Sequence, residues 1–113
     1  MAMTIGRIMA VAAGCVLLSA ASAAAQGLVD LHDKVRVGNK LCMADHFHYG
    51  NSGGHPSKKA AEAAAVKSWE GFTGWEYGAA WGSFRLAESR GSKCDIIGGS
   101  WTCNVQARPC RRR

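Results

Sequence analysis

His46, His48 and His55, three of the four histidines in this 113-residue chain, fall within Asp45-His46-Phe47-His48-Tyr49-Gly50-Asn51-Ser52-Gly53-Gly54-His55-Pro56-Ser57. His46 and His48 are two residues apart, so in an extended segment both rings point the same way. Imidazoles so placed can chelate zinc, copper or nickel, with His55 or Asp45 as a third ligand across the glycine turn. The plainer expectation is a polar, glycine-rich loop, with Phe47 and Tyr49 packed inward and the histidines outward.

A second group of residues suits anions. Residues 26–84 carry equal numbers of basic and acidic side chains. Residues 85–113 carry seven basic and two acidic ones and end in Arg111-Arg112-Arg113. Lys58 and Lys59 open an expected helix, where the macrodipole favours anions and backbone N–H groups are free. These five cations together suit a phosphate-bearing polymer or an anionic membrane surface, unless they are simply solvated. Nucleic acid is a poorer fit, because Trp101 belongs to an expected core rather than to a stacking platform. The sequence has no phosphate-binding glycine loop of the P-loop spacing, no nucleophile elbow and no metalloprotease motif. Glu70 and Glu76 read as solvated carboxylates. A non-catalytic protein is therefore expected.

The cysteines set the framework. Arg7, the apolar run from Ile8 to Leu18, and the small residues ending in Ala23-Ala24-Ala25 have the order of a secretory signal peptide. Cleavage is expected before Gln26. A retained membrane span and lipidation at Cys15 are the alternatives. Cleavage leaves Cys42, Cys94, Cys103 and Cys110, an even set that reads as two disulfides in an exported chain. Four-cysteine zinc binding competes weakly, since no Cys-x-x-Cys pair is present. Gly98-Gly99 marks a two-residue hairpin turn, because both glycines accept positive φ. That register sets Ile97 opposite Ser100, Ile96 opposite Trp101 and Cys94 opposite Cys103, at a pair whose Cα atoms approach to about 4.5 Å. Cys94–Cys103 then leaves Cys42–Cys110. On this hairpin Cys94, Ile96, Trp101, Cys103, Val105 and Ala107 share the apolar face.

The remaining elements must position these groups. Residues 26–41 read as a flexible lead-in, with weak alternation at Val35 and Val37. Residues 42–113 read as one small domain ending in a basic tail. Ser57 is the expected N-cap of a helix over Lys58 to Glu70, stopped by Gly71, with Ala61, Ala65, Trp69 and Phe72 as its buried stripe. Residues 75–88 fit either a second helix or a strand. The glycines at 78 and 82 favour the strand, with Phe84 and Leu86 running into a turn at Arg90-Gly91-Ser92 and Leu86 set opposite Ile96.

The order Trp69, Glu76-Tyr77-Gly78, Trp81, Phe84, Ala87, Cys94, Trp101-x-Cys103 and Ala107-Arg-Pro-Cys110 resembles a set of small exported proteins of Gram-negative bacteria whose activity is unknown. The resemblance runs from Ser57 to Cys110 and implies no catalytic or binding residue. The expected fold is α+β: one alanine-rich helix on a three-stranded antiparallel sheet, in the order α-β-β-β, with two disulfides. The expected function is an exported, periplasmic or secreted, binding or structural module that engages an anionic envelope component through Lys58, Lys59 and Arg111–Arg113. The alternative is a periplasmic metal binder taking zinc or copper on His46, His48 and His55.

Overall fold

The computed structural model describes residues 27–113. The expected leader, its expected cleavage site and Cys15 lie outside the described residues. Among the described residues no helix is long and apolar enough to cross a membrane.

The class is α+β, with two disulfides as expected, but there are two sheets rather than one. A helical turn at residues 27–30 leads into β1 (Lys34–Val37) and β2 (Lys40–Met43). Next come β3 (His48–Asn51), helix α1 (Lys58–Tyr77) and a 3-10 turn (Ala79–Trp81). The chain ends in β4 (Glu88–Ile97), β5 (Ser100–Arg108) and β6 (Cys110–Arg112). The first sheet has the order β1-β2-β6 and the second β3-β5-β4, all antiparallel. The segment read as a lead-in thus holds β1 and the start of β2, and the histidine-glycine segment holds β3. Arg111 and Arg112 belong to a strand rather than a tail.

Pro109 is why one run of chain serves both sheets. It has no N–H to give to a ladder, so β5 ends before it and β6 begins after it on a different partner. Its carbonyl accepts from the Met43 N–H at 2.9 Å. Cys42 then stands opposite Cys110 and is bonded to it, with Cα atoms 4.0 Å apart.

The β4–β5 hairpin has the expected register, with Cys94 opposite Cys103 and the disulfide between them. Gly98 and Gly99 both take positive φ, 60° and 82°. Cys103, Val105 and Ala107 are buried as expected, but Ile96 is exposed. Phe84 and Leu86 lie in turns, not in a strand, and Arg90-Gly91-Ser92 runs inside β4, with Arg90 in the bulge between Glu88 and Gly91.

Ser57 caps α1, its hydroxyl accepting from the Ala60 N–H at 3.1 Å. The helix does not stop at Gly71. It runs on to Tyr77 and ends at Gly78, whose φ is 100°. Ala61, Ala65, Trp69, Thr73 and Tyr77 recur every fourth residue and are all buried. Burial of Thr73 and Tyr77 outweighs the helix-propensity cost of Gly71 and Gly74, about 1 kcal/mol each. Phe72, expected inside, is exposed.

The stripe meets two cores. Its first half, Ala61, Ala65 and Trp69, packs on Ala87, Cys103, Val105 and Ala107 over the second sheet. Small side chains let the backbones come close there. A Cβ on Gly50 of β3 would lie 2.2 Å from the Ala65 carbonyl oxygen and 2.7 Å from the Trp69 nitrogen. The far end, Tyr77 with Trp81, packs on Val29 and Met43 beside the first sheet. Thr73 falls between the two halves.

Candidate metal centre at the junction of the two cores

His48 opens β3 and points inward at that junction, with 2% of its surface exposed. Alternation then turns its neighbours outward: Phe47 is 36% and Tyr49 66% exposed, the reverse of the expected packing. The ring is held on all sides. Its Nδ1 lies 2.8 Å from the Thr73 hydroxyl. Tyr77 stacks on it at 4.8 Å between centroids and 18° between planes, and Phe72 lies 5.0 Å away. The Trp69 indole donates to the His48 carbonyl at 2.9 Å, fixing the backbone beneath.

The other nitrogen, Nε2, is buried and has no hydrogen-bond partner. The Glu76 Oε2 atom is 3.2 Å from it, yet off hydrogen-bond geometry. Burial, then the neighbouring His46 and His32 imidazoles, push His48 down from 6.5 to about 4. At neutral pH the pair is therefore a neutral imidazole beside a carboxylate, not an ion pair. With Nδ1–H donated to the Thr73 hydroxyl, the Nε2 lone pair faces a carboxylate oxygen. In that tautomer a cation between the two acceptors would satisfy both.

His46 completes a group of three. Its ring lies 5.1 Å from that of His48, and the ligand atoms of His46, His48 and Glu76 all lie within 4.8 Å of one another. Neighbouring ligands of a tetrahedral zinc ion, each about 2.0–2.1 Å from the metal, stand about 3.3 Å apart, close to the 3.2 Å between His48 and Glu76. His32, Asp33, Asp45 and His46 line an open groove beside the group, so two further carboxylates sit near it. Tyr77 is pushed up to about 12 by burial and then by the Glu76 charge, which keeps its hydroxyl protonated.

Two of the three expected ligands stand near each other. His46 and His48 come together, but His55 does not join them. Its N–H and carbonyl form a bridge with Trp101, both bonds at 2.8 Å, and its ring Nε2 lies 3.1 Å from the Ser52 carbonyl. Glu76, read as solvated, takes its place. The signal for it was helical phase: Glu76 lies three residues beyond Thr73, but only if the helix continues past Gly71. A second cluster, Glu62 with Cys94 and Cys103, offers no thiolate, since the two cysteines are bonded to each other.

The basic residues do not form one patch. Lys58 and Lys59 lie at the start of α1, whereas β6 with Arg111 and Arg112 packs on the 3-10 turn that follows its end. A 20-residue helix, about 30 Å long, separates them. Other cations serve the fold. Arg108 donates to the Met43 and Ala44 carbonyls at 3.0 and 3.2 Å, and Lys40 pairs with Glu88 and donates to the Leu86 carbonyl at 2.9 Å.

No protein-family model matches the chain, and neither a curated protein nor a solved structure is significantly similar to it.

Proposed function

We propose that this chain is a small exported metal-binding protein that takes a divalent transition metal, zinc or copper, on His46, His48 and Glu76. One observation carries the reading: the buried, unpartnered Nε2 of His48 faces the Glu76 carboxylate at the spacing of neighbouring metal ligands. The imidazole is neutral and so ready to bind at neutral pH. Both outer supports of His48, the Thr73 hydroxyl and the Tyr77 ring, come from the same helix that supplies Glu76. Two disulfides fit an oxidising compartment, which agrees with export to the periplasm or beyond. The test is zinc titration followed by native mass spectrometry. One ion per chain is expected, retained in His55→Ala and lost or strongly weakened in Glu76→Gln and His46→Ala. Equal binding by His55→Ala and Glu76→Gln would sink the assignment.

A second reading keeps the anionic envelope component as ligand, without Lys58 and Lys59. It rests on β6, where Arg36 and Arg111 flank Leu41 in one cross-strand row and so share a face. Binding of anionic vesicles by this edge should fall steeply with salt and with loss of Arg111–Arg113. Binding that persists at high salt would reject it.

A further inference from the structure

Resting on the metal-binding reading above, we infer that His32 supplies a fourth ligand, making a closed centre of three imidazoles and one carboxylate around a zinc ion, with no position left for water. Sequence spacing gives no hint of this residue, which lies fourteen positions before His46.

The argument starts from the tautomer. His32 Nδ1 lies 2.9 Å from the Leu28 carbonyl oxygen. A carbonyl can only accept, so Nδ1 carries the proton and Nε2 holds a lone pair. Zinc-ligating histidines are oriented in this way, the outer nitrogen donating and the inner one free to bind. His48 Nδ1 likewise has an outer partner, the Thr73 hydroxyl, which accepts from it when Nδ1 carries the proton. The turn that carries His32 is itself fixed. Lys34 Nζ donates to the Val29 and His32 carbonyls at 3.0 and 3.1 Å, and Val29 is buried beside Tyr77 and Met43.

The inner nitrogen is close to the group and weakly engaged. The His32 ring lies 4.6 Å from that of His46. Its Nε2 meets only the Tyr77 hydroxyl, at 3.4 Å, longer than a good O–H···N bond. His32 stands just outside the three-ligand group in this conformation, and closure takes its Nε2 off the Tyr77 hydroxyl toward the metal. Three neutral imidazoles and Glu76 leave one positive charge on a zinc complex. Asp33 and Asp45, lining the same groove, offset it. The ion would join three parts of the chain: the first turn, the start of β3 and the last turn of α1. Three nitrogens and one oxygen in a closed tetrahedron suit zinc and a holding role; a catalytic zinc keeps one position for water.

Cobalt(II) in place of zinc, bound to the full chain, tests this through its visible spectrum. The wild-type spectrum is expected to stay constant from about pH 6.5 to 9, because no metal-bound water is present to ionise. His32→Ala should weaken binding at least about 10-fold and admit water, so that its spectrum titrates near neutral pH. Millimolar free imidazole should refill the position and restore the pH-independent spectrum, which a merely structural role for His32 would not allow. A wild-type spectrum that itself titrates near neutral pH overturns the inference and leaves an open three-ligand site. So does equal affinity with the same constant spectrum in His32→Ala. If the wild type binds neither cobalt nor zinc, the metal-binding reading falls and this inference with it.

Discussion

The Trp69 indole nitrogen donates to the His48 carbonyl at 2.9 Å, joining the middle of α1 to the first residue of β3. Trp69 is fully buried, so the bond has no water to replace it. Trp69→Phe keeps most of the apolar volume but removes the indole bond to that carbonyl, which retains only its ladder position opposite Ala107. The expected cost is about 1 kcal/mol in urea unfolding, together with weaker zinc binding because His48 loses one of its two backbone anchors. An unchanged unfolding midpoint would mean that the indole acts only as filler.

Gly50 allows β3 and α1 to touch. A methyl group there would sit inside the Ala65–Trp69 backbone, and backbone cannot swing away as a side-chain end can. Gly50→Ala should cost about 3 kcal/mol or prevent folding, measured by thermal unfolding beside Gly71→Ala, where a methyl group meets open space. Equal stability of Gly50→Ala and the wild type would show that the helix can move off the sheet at little cost.

Stability should depend on pH through His48. Its folded value, about 4, lies below the ordinary 6.5, owing first to burial and then to His46 and His32. The Glu76 carboxylate, off the hydrogen-bond axis, does not reverse this. Between these values the unfolded chain binds a proton that the folded chain refuses. The contribution is therefore complete above pH 6.5 and falls as pH drops toward 4, by up to about 3 kcal/mol; below 4 both states are protonated and nothing further is lost. Metal-free His48→Gln should show a flatter stability curve over that window. Parallel curves for the two proteins would contradict the assignment.

The two disulfides should differ in weight. Cys42–Cys110 spans a sequence separation of 68 and Cys94–Cys103 only 9. Loop entropy puts their losses at about 4 and about 3 kcal/mol, the longer loop costing more. Paired Cys→Ala variants, unfolded in guanidinium, give both values. A larger loss from the short loop would show that native packing outweighs chain entropy.

Local signals carried part of this structure. The Gly98-Gly99 turn has one steric meaning, so the hairpin register and one disulfide followed from it, and the other pairing by elimination. Ser57 and the alanines announced the start of α1 and its close approach to a sheet. The end of the helix was illegible because Gly71 reads as a stop by propensity, while Thr73 and Tyr77 hold it by contacts with residues far away in sequence. That single misreading also hid Glu76, since a carboxylate beyond a helix end has no phase. β3 and β6 are short strands of four and three residues whose partners lie elsewhere in the chain, and β1, though it pairs with the adjacent β2, has only four residues. Their alternation is too brief to separate from loop. Two of the three residues of the candidate centre, His46 and His48, were visible from spacing alone. His55 misled because nearness in sequence stood in for nearness in space.

The passage of one run of chain from the second sheet to the first at Pro109 imposes an order of assembly. The β4–β5 hairpin is local and can zip soon after it emerges. β2 cannot gain its second neighbour, nor Cys42 its native partner, until β6 has emerged some seventy residues later. Over that interval Cys42 is a free thiol, and Cys94, if not yet closed on Cys103, is the wrong partner within reach. Rapid closure of the short hairpin therefore protects the long-range bond: it removes both competing thiols before the last strand delivers Cys110.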